Sequence, residues 1–287
     1  MMKTVYERTI WQCVLITGMV GTILCTPFPL FAHSISVPKF FDSNERLEQP
    51  DITMLSRLRF LTTVDFPPFN YLNQNGVLSG YHIDLVRSLC SELKVEHLCQ
   101  IEARPWNELT KRLKDGKAEA IIAGLAPTAE NRMEFSFSRP YMRFPARFIS
   151  LQGTKPEQPF FIWLRSQHIG VIGHTVHKTM LSNYFPDVRI TTFNDSTQLY
   201  AALESKLIDL AFGDGMTFSL WLANPQAGGF CQFIGGSYYG IGYLGDGMRI
   251  AVNNLSLALA MNYAIQSLER KGKLTELYMR YFPVGFY

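Results

Sequence analysis

Apolar residues follow two periods along this chain, one typical of helices and one typical of buried strands. In residues 83–93, Leu85, Leu89 and Leu93 recur every four positions, which predicts an amphipathic helix. The short apolar run at residues 120–123 predicts a buried strand. Taken together, such runs predict strands at residues 57–64, 96–103, 120–123, 147–151, 168–172, 187–192, 207–212 and 248–252.

Predicted helices alternate with these strands, and the alternation indicates an α/β fold with parallel sheets flanked by helices. The helices are expected at residues 83–93, 106–114, 175–183, 196–206, 216–224 and 257–271, followed by a short helix that ends at residue 281. The pattern restarts after residue 147, so we expect two lobes, residues 57–147 with 248–287 and residues 148–247. The chain must then cross between the lobes twice, and residues 147–151 and 248–252 are the predicted crossing strands.

The N-terminus has the composition of an export signal. A basic head with Lys3 and Arg8 precedes an uncharged, largely apolar stretch that ends near Ala32. Residues 1–32 are therefore interpreted as a signal peptide, with an uncleaved membrane anchor as the alternative. Both alternatives export the rest of the chain, which we expect in the periplasm. Residues 33–56 are polar, contain prolines and lack periodicity, so a flexible segment is expected there.

Composition excludes several classes of protein. Apolar residues make up 47% and charged residues 18%, a balance typical of globular chains and not of disordered ones. A net charge of only +3 argues against a broad surface for nucleic acid. Cys90 and Cys99 lie in a predicted helix and the strand after it, too far apart for a zinc knuckle. They form a disulfide in an oxidising compartment or remain two buried thiols; Cys231 is left as an unpaired core residue. No motif indicates a metal or a cofactor.

Four ordered segments resemble the periplasmic solute-binding proteins of polar amino-acid ABC importers (family 3). They are TVDFPPFNYLNQNGVLSGYHIDL (63–85), AEAIIAGLAPTAENRMEFSFSRPYM (118–142), LESKLIDLAFGD (203–214) and YLGDGMRIAV (243–252). The resemblance covers about residues 57–284 and is greatest to the lysine/arginine/ornithine- and histidine-binding branch.

This resemblance implies the two-lobed type II binding-protein fold, with crossing strands as a hinge and the ligand clamped between the lobes. It also implies a disulfide between Cys90 and Cys99, an amino acid or related small carboxylate as ligand, and a membrane permease as partner. We expect a monomer. The chain has no phosphate-cradling glycine loop, so ATP hydrolysis would belong to the partner. Two alternatives stay open, an enzyme similar to cyclohexadienyl dehydratases and a sensor or adaptor module.

In the second predicted lobe, the resemblance assigns Asp214 to the ammonium of the ligand. Asp214 follows an apolar strand and precedes a helix, so helix capping is the alternative role. Gly173, His174 and Thr175 open another helix, where free backbone N–H groups and the helix dipole favour an anion. The family uses this turn for the carboxylate of the ligand, usually with two small hydroxyl residues, and His174 replaces one of them.

In the first predicted lobe, Phe66 and Trp106 match aromatic residues that sandwich the ligand side chain, with core packing as the alternative. Thr63 stands where arginine- and lysine-binding relatives carry an acid. This weakens the assignment of a basic ligand, with substitution of that acid by neighbouring Asp65 as the alternative.

The arginine that binds the ligand carboxylate in the family is displaced by one position here. The sequence has Asn131 at the family position and Arg132 one residue later, so either residue is a candidate for the carboxylate. The hydroxyl positions upstream are Ala123, Gly124 and Ala126, which leave backbone contacts and a less polar pocket.

Overall fold

The computed structural model of this protein describes residues 37–40, 42, 44–52, 55–240 and 242–287. The predicted signal peptide or anchor at residues 1–32 lies outside these residues. Within the part of the chain that is described, no helix is both long and apolar enough to cross a membrane.

Strands and helices alternate along the described chain as the sequence predicts. In chain order they are β1 (Leu58–Thr62), β2 (Asp65–Phe66), β3 (Asn70–Leu72), β4 (Leu78–Ser79), α1 (Tyr81–Glu92), β5 (Cys99–Ala103), α2 (Trp106–Lys114), β6 (Ala120–Ile121), α3 (Ala129–Glu134), β7 (Ser136–Phe137), β8 (Ala146–Leu151), α4 (Phe160–Trp163), β9 (His168–Ile172), α5 (Val176–Tyr184), β10 (Arg189–Phe193), α6 (Ser196–Glu204), β11 (Leu210–Asp214), α7 (Gly215–Leu222), β12 (Cys231–Tyr238), β13 (Ala251–Val252), α8 (Leu255–Arg270) and α9 (Lys273–Tyr281). The strand predicted at residues 96–103 begins only at Cys99, because Glu96–Leu98 forms a 3₁₀ turn.

The first lobe is built on a five-stranded sheet in the order β5-β1-β6-β13-β7. Strand β1 runs parallel to β5 and β6, whereas β13 runs antiparallel to β6 and β7. Side chains of a strand alternate between the two faces of the sheet. Phe60 accordingly packs into one apolar cluster and Leu61 into another on the opposite face, so helices cover both sides.

The second lobe is built on a separate five-stranded sheet in the order β10-β9-β11-β8-β12. Strands β10, β9 and β11 are parallel, and β8 runs antiparallel to β11 and β12. Phe212 and Ala211 alternate between two clusters, so this sheet is also buried on both faces. Two α/β lobes with a parallel core confirm the predicted fold class.

The first crossing lies before the predicted strand at residues 147–151, whereas the second includes Met248, the first residue of the predicted strand at 248–252. Strand β8 pairs along its whole length within the second sheet, and β13 pairs within the first. The linking segments meet at Met142 and Met248, where the N–H of Met248 donates to the carbonyl of Met142 at 2.8 Å. The crossing therefore consists of two short antiparallel segments next to the sheets.

Helix α1 is fixed at both ends by features that the sequence contains. Gly80 precedes it with a φ of 128°, and a Cβ at this position would lie 2.2 Å from the carbonyl oxygen of Phe69, so only glycine fits. Near its other end, Cys90 forms a disulfide with Cys99 of β5, with the Cα atoms 6.4 Å apart. The predicted pairing is confirmed. Cys231 is unpaired and buried, and its burial raises the pKa of the thiol to about 11.

The described part of residues 37–56, which the sequence assigns to a flexible segment, packs on the first lobe. The N–H of Phe40 donates to a carboxylate oxygen of Glu269 on α8 at 3.1 Å, and the Phe40 ring meets Tyr287 edge-on at 5.9 Å. Glu45 forms an ion pair with Arg139. The polar composition of this segment therefore reflects hydrogen bonds and ion pairs to the lobe.

A small antiparallel sheet of β2, β3 and β4 lies beside the first lobe. Gly76, in the predicted Asn75-Gly76 turn, has a φ of 70° and connects β3 to β4, which confirms the hairpin. The strands of this sheet have two or three residues each, so the sequence shows no alternation that could predict them.

Candidate functional site

The candidate residues of the first lobe lie where its parallel strands end. Thr63 follows β1, Trp106 lies just after β5, and Ala123, Gly124 and Ala126 follow β6. Because the carboxyl ends of parallel strands meet at one edge of a sheet, these residues are brought to the same edge, which is where ligands bind in folds of this class.

Phe66 and Gly124 are in contact distance at this edge. Gly124 has a φ of 83°, and a Cβ built on it would lie 3.6 Å from the Phe66 ring. The Phe66 ring is half-buried and stacks on Phe69 with centroids 4.9 Å apart. Trp106 is 51% exposed at the start of α2. Core packing therefore accounts for part of the Phe66 surface and for little of the Trp106 surface.

Thr63 is only 5% exposed and ends a chain of buried hydrogen bonds. The side-chain amide of Asn70 donates to the Thr63 hydroxyl at 2.7 Å, and the amide oxygen faces Nδ1 of His82 at 2.8 Å. Nε2 of His82 lies 2.8 Å from the hydroxyl of Tyr141. With an oxygen facing Nδ1, that nitrogen carries the proton, and Nε2 accepts from Tyr141. Burial lowers the pKa of His82 to about 3, so this imidazole is neutral.

Arg132 and Asn131 have different surroundings on α3. The Asn131 side-chain amide donates to the carbonyl of Ala126 at 2.8 Å, and its backbone N–H donates to the capping hydroxyl of Thr128. Nε of Arg132 donates to the carbonyl of Pro127 at 2.9 Å. The Nη atoms of Arg132 donate no hydrogen bond to any described residue. The side chain of Asn131 is therefore engaged with the loop, whereas the guanidinium end of Arg132 has donors to spare.

Asp246 is the acid that faces this arginine. One of its oxygens lies 3.6 Å from Arg132 and 3.8 Å from Arg249, and the Asp246 side chain is 64% exposed. An exposed pair at this distance contributes about 0–1 kcal/mol. Asp246 therefore holds Arg132 only weakly.

In the second lobe, Gly173, His174 and Thr175 follow β9 and open α5. The Thr175 hydroxyl accepts from the N–H of Lys178 at 3.2 Å and donates to the carbonyl of Ile172 at 2.7 Å, so it caps the helix. His174 is exposed, with a φ of 56°. Gly173, His174 and Thr175 line an open cavity of about 660 Å³ together with Thr192 and the first turn of α5.

Asp214 ends β11 and caps α7. Its Oδ1 accepts both the N–H and the hydroxyl of Thr217, each at 2.7 Å. Oδ2 accepts no hydrogen bond from a described residue. Asp214 therefore caps α7 through Oδ1, and Oδ2 remains available at the edge of the second sheet.

Two further side chains close to Asp214 carry polar groups that the sequence analysis does not single out. Burial lowers the pKa of His177, which the Asp214 charge opposes, and burial raises the pKa of Tyr200 to about 12. His177 lies in the first turn of α5, two residues after the cap Thr175. That position was readable from the sequence, whereas the approach of Tyr200 from α6 depends on the packing of two helices.

A sequence profile of the bacterial extracellular solute-binding proteins, family 3, matches residues 58–284. The chain belongs to this family. The match begins at the first residue of β1 and runs past α9, so it includes both lobes of this family 3 protein and every candidate residue of the two sheet edges.

Among relatives of this family 3 protein are two from Escherichia coli (strain K12). The putative ABC transporter arginine-binding protein 2 is 27% identical over 235 residues, which are 80% of this chain and 92% of that protein. The lysine/arginine/ornithine-binding periplasmic protein is 26% identical over 234 residues, 80% and 89% of the two chains. The crystal structure of an ancestral cyclohexadienyl dehydratase superposes with a TM-score of 0.66 at 17% identity, covering 83% of this chain and 98% of the other. That last likeness shows the shared fold.

Proposed function

We propose that this family 3 protein is an exported binder that captures an amino acid or a related small carboxylate between its lobes for an ABC importer. The observation that carries the proposal is the family match over both lobes, combined with an available carboxylate oxygen on Asp214 at the edge of the second sheet. The relatives named for arginine and for lysine, arginine and ornithine support a ligand with an ammonium and a carboxylate group.

Each lobe supplies one half of the proposed charge recognition. Oδ2 of Asp214 pairs with the ligand ammonium, and the carboxylate lies between Arg132 of the first lobe and the N–H groups that open α5 of the second. Charge-assisted hydrogen bonds are roughly twice as strong as neutral ones, and exclusion of water strengthens them further. We assign the carboxylate to Arg132 because Asn131 is engaged with Ala126.

Ligand contacts on both lobes couple binding to closure. A ligand that touches both lobes binds the closed form better than the open form, and it shifts the equilibrium only by that difference in affinity. The closed, loaded form then presents a distinct surface to a permease. Small-angle scattering tests this step, and the radius of gyration is expected to fall by about an ångström at saturating ligand.

A thermal-shift screen of amino acids and small carboxylates tests the function itself. Hits are then incubated with the protein and examined for products by mass spectrometry. A raised melting temperature without turnover supports the binder, because a ligand that binds only the folded state stabilises it. Turnover would instead identify an enzyme on the same fold, and a screen without hits would remove the basis of the proposal.

A further inference from the structure

The second lobe contains a partly open space that the proposed charge recognition does not fill. It is a cavity of about 190 Å³ between β9, α5, α6, β11 and α7. Its walls are largely apolar and include Val171, Leu199, Phe212 and Phe218. An apolar cavity of about 150 Å³ in another protein is known to hold benzene, so this one has room for a six-membered ring or a branched aliphatic group.

The cavity is reached from the edge where the ligand is expected. Thr175, Asp214 and Thr217 belong to its lining, and all three lie where β9 and β11 end. A ligand whose ammonium meets Oδ2 of Asp214 therefore stands at the mouth of the cavity. Its side chain can enter the second lobe from that position.

Two polar side chains belong to the lining of the cavity. Nε2 of His177 is buried and has no hydrogen-bond partner among the described residues, although a buried polar atom is normally paired. Tyr200 lines the same space, and its ring stacks on Trp221 with centroids 4.0 Å apart and planes at 11°. This stacking packs one wall of the cavity against α7.

The charge of the lining selects against a cationic side chain. His177 and Tyr200 are both neutral near pH 7, since burial lowers the pKa of the first and raises that of the second. The carboxylate of Asp214 is the acidic group of the lining, and in the proposed complex it already forms an ion pair with the ligand ammonium. A guanidinium or a second ammonium inside the cavity would be desolvated without an anion, which is strongly unfavourable.

From this geometry we propose that the cavity is a side-chain subsite for an uncharged ring or branched aliphatic group of an amine-bearing ligand, with His177 as a hydrogen-bonding group on its wall. The ammonium contact of the ligand rests on the proposed function; the subsite itself rests on the cavity and the unpaired nitrogen. This subsite places the ligand side chain in the second lobe, and not between Phe66 and Trp106 of the first lobe as the resemblance implies.

The test uses labelled protein recovered from the cell envelope and phenethylamine as the probe, because this molecule has an ammonium and a ring but no carboxylate. Nuclear magnetic resonance is expected to show shifts of the His177 and Tyr200 amide signals on titration. Ser196→Phe fills the cavity from α6 and is expected to lower the affinity for phenethylamine at least tenfold. Thr197→Phe places the same ring on the exposed side of that helix and is expected to leave the probe affinity unchanged.

Calorimetry with L-phenylalanine, L-leucine and L-arginine separates the two proposals. We expect L-phenylalanine and L-leucine to bind at least tenfold more tightly than L-arginine. We also expect His177→Leu to lower the affinity for phenethylamine less than Ser196→Phe does. If arginine binds tightly while phenethylamine shifts neither the His177 nor the Tyr200 amide signal, the proposed subsite is refuted and the proposed binding function is retained. If phenethylamine occupies the cavity and no amino acid binds, the subsite stands and the proposed function falls. Equal effects of Ser196→Phe and Thr197→Phe would also overturn the subsite.

Discussion

Lowering the pH should destabilise this protein through one buried imidazole. His82 is fully buried, and its pKa is about 3 in the folded state against 6.5 in a solvated chain. Below pH 6.5 the unfolded chain therefore takes up a proton that the folded protein does not accept until about pH 3. Stability that is present above pH 6.5 is lost over this window, and the loss at pH 5 is about 2 kcal/mol.

The control is a variant in which this residue cannot titrate. His82→Gln retains one donor and one acceptor for Asn70 and Tyr141, so the remaining acid-sensitive groups contribute equally in both proteins. Urea unfolding followed by tryptophan fluorescence at pH 7 and pH 5 gives the free energy of unfolding for each. The difference between the two pH values should be about 2 kcal/mol larger in the wild-type protein. Equal pH dependence in the two proteins would refute the reasoning, because it would mean that folded His82 is protonated like a solvated histidine.

Three further predictions concern the charged groups and the disulfide. Asp214→Asn keeps a capping oxygen for α7 but removes the charge, so calorimetry should show about a thirtyfold loss of amino-acid affinity, about 2 kcal/mol, with unchanged thermal stability. Unchanged affinity would mean that Asp214 acts only as a helix cap. Arg132→Ala should lower the affinity for the amino acid at least tenfold, and Asn131→Ala should have a smaller effect. The reverse order in the same titration would show that Asn131 binds the ligand carboxylate. Peptide mapping of non-reduced protein should recover the linked Cys90 and Cys99 peptides, and two free thiols in protein from the cell envelope would contradict the disulfide. The double variant Cys90→Ser, Cys99→Ser should have a free energy of unfolding lower by about 2.5 kcal/mol for this 9-residue separation.

Much of the architecture could be predicted because it is encoded locally. Helix α2 spans the predicted residues 106–114, and β9 spans the predicted residues 168–172, since a period of 3.6 or a short apolar run is visible within ten residues. The start of α5 after Thr175 also follows from a local signal, a capping residue. Strand β11, in contrast, runs two residues beyond its predicted end at residue 212.

The sequence did not predict features that depend on partners far apart in the chain. Strand β7 pairs over only two residues, too few for any alternation to show. The contacts of Phe40 with α8 and of Glu45 with Arg139 were not predicted, because a polar composition is compatible with either solvent or ion pairs as its surroundings.

The chemistry of the site was decided by the tertiary structure. The sequence by itself determined which residues reach the carboxyl edges of the two sheets, because strand ends are fixed by local pattern. It could not determine that His82 is neutral, since the lowered pKa follows from complete burial of the imidazole by the packed lobe. Nor could it determine the cavity in the second lobe, because the space between packed helices depends on how side chains from five elements fill a volume together.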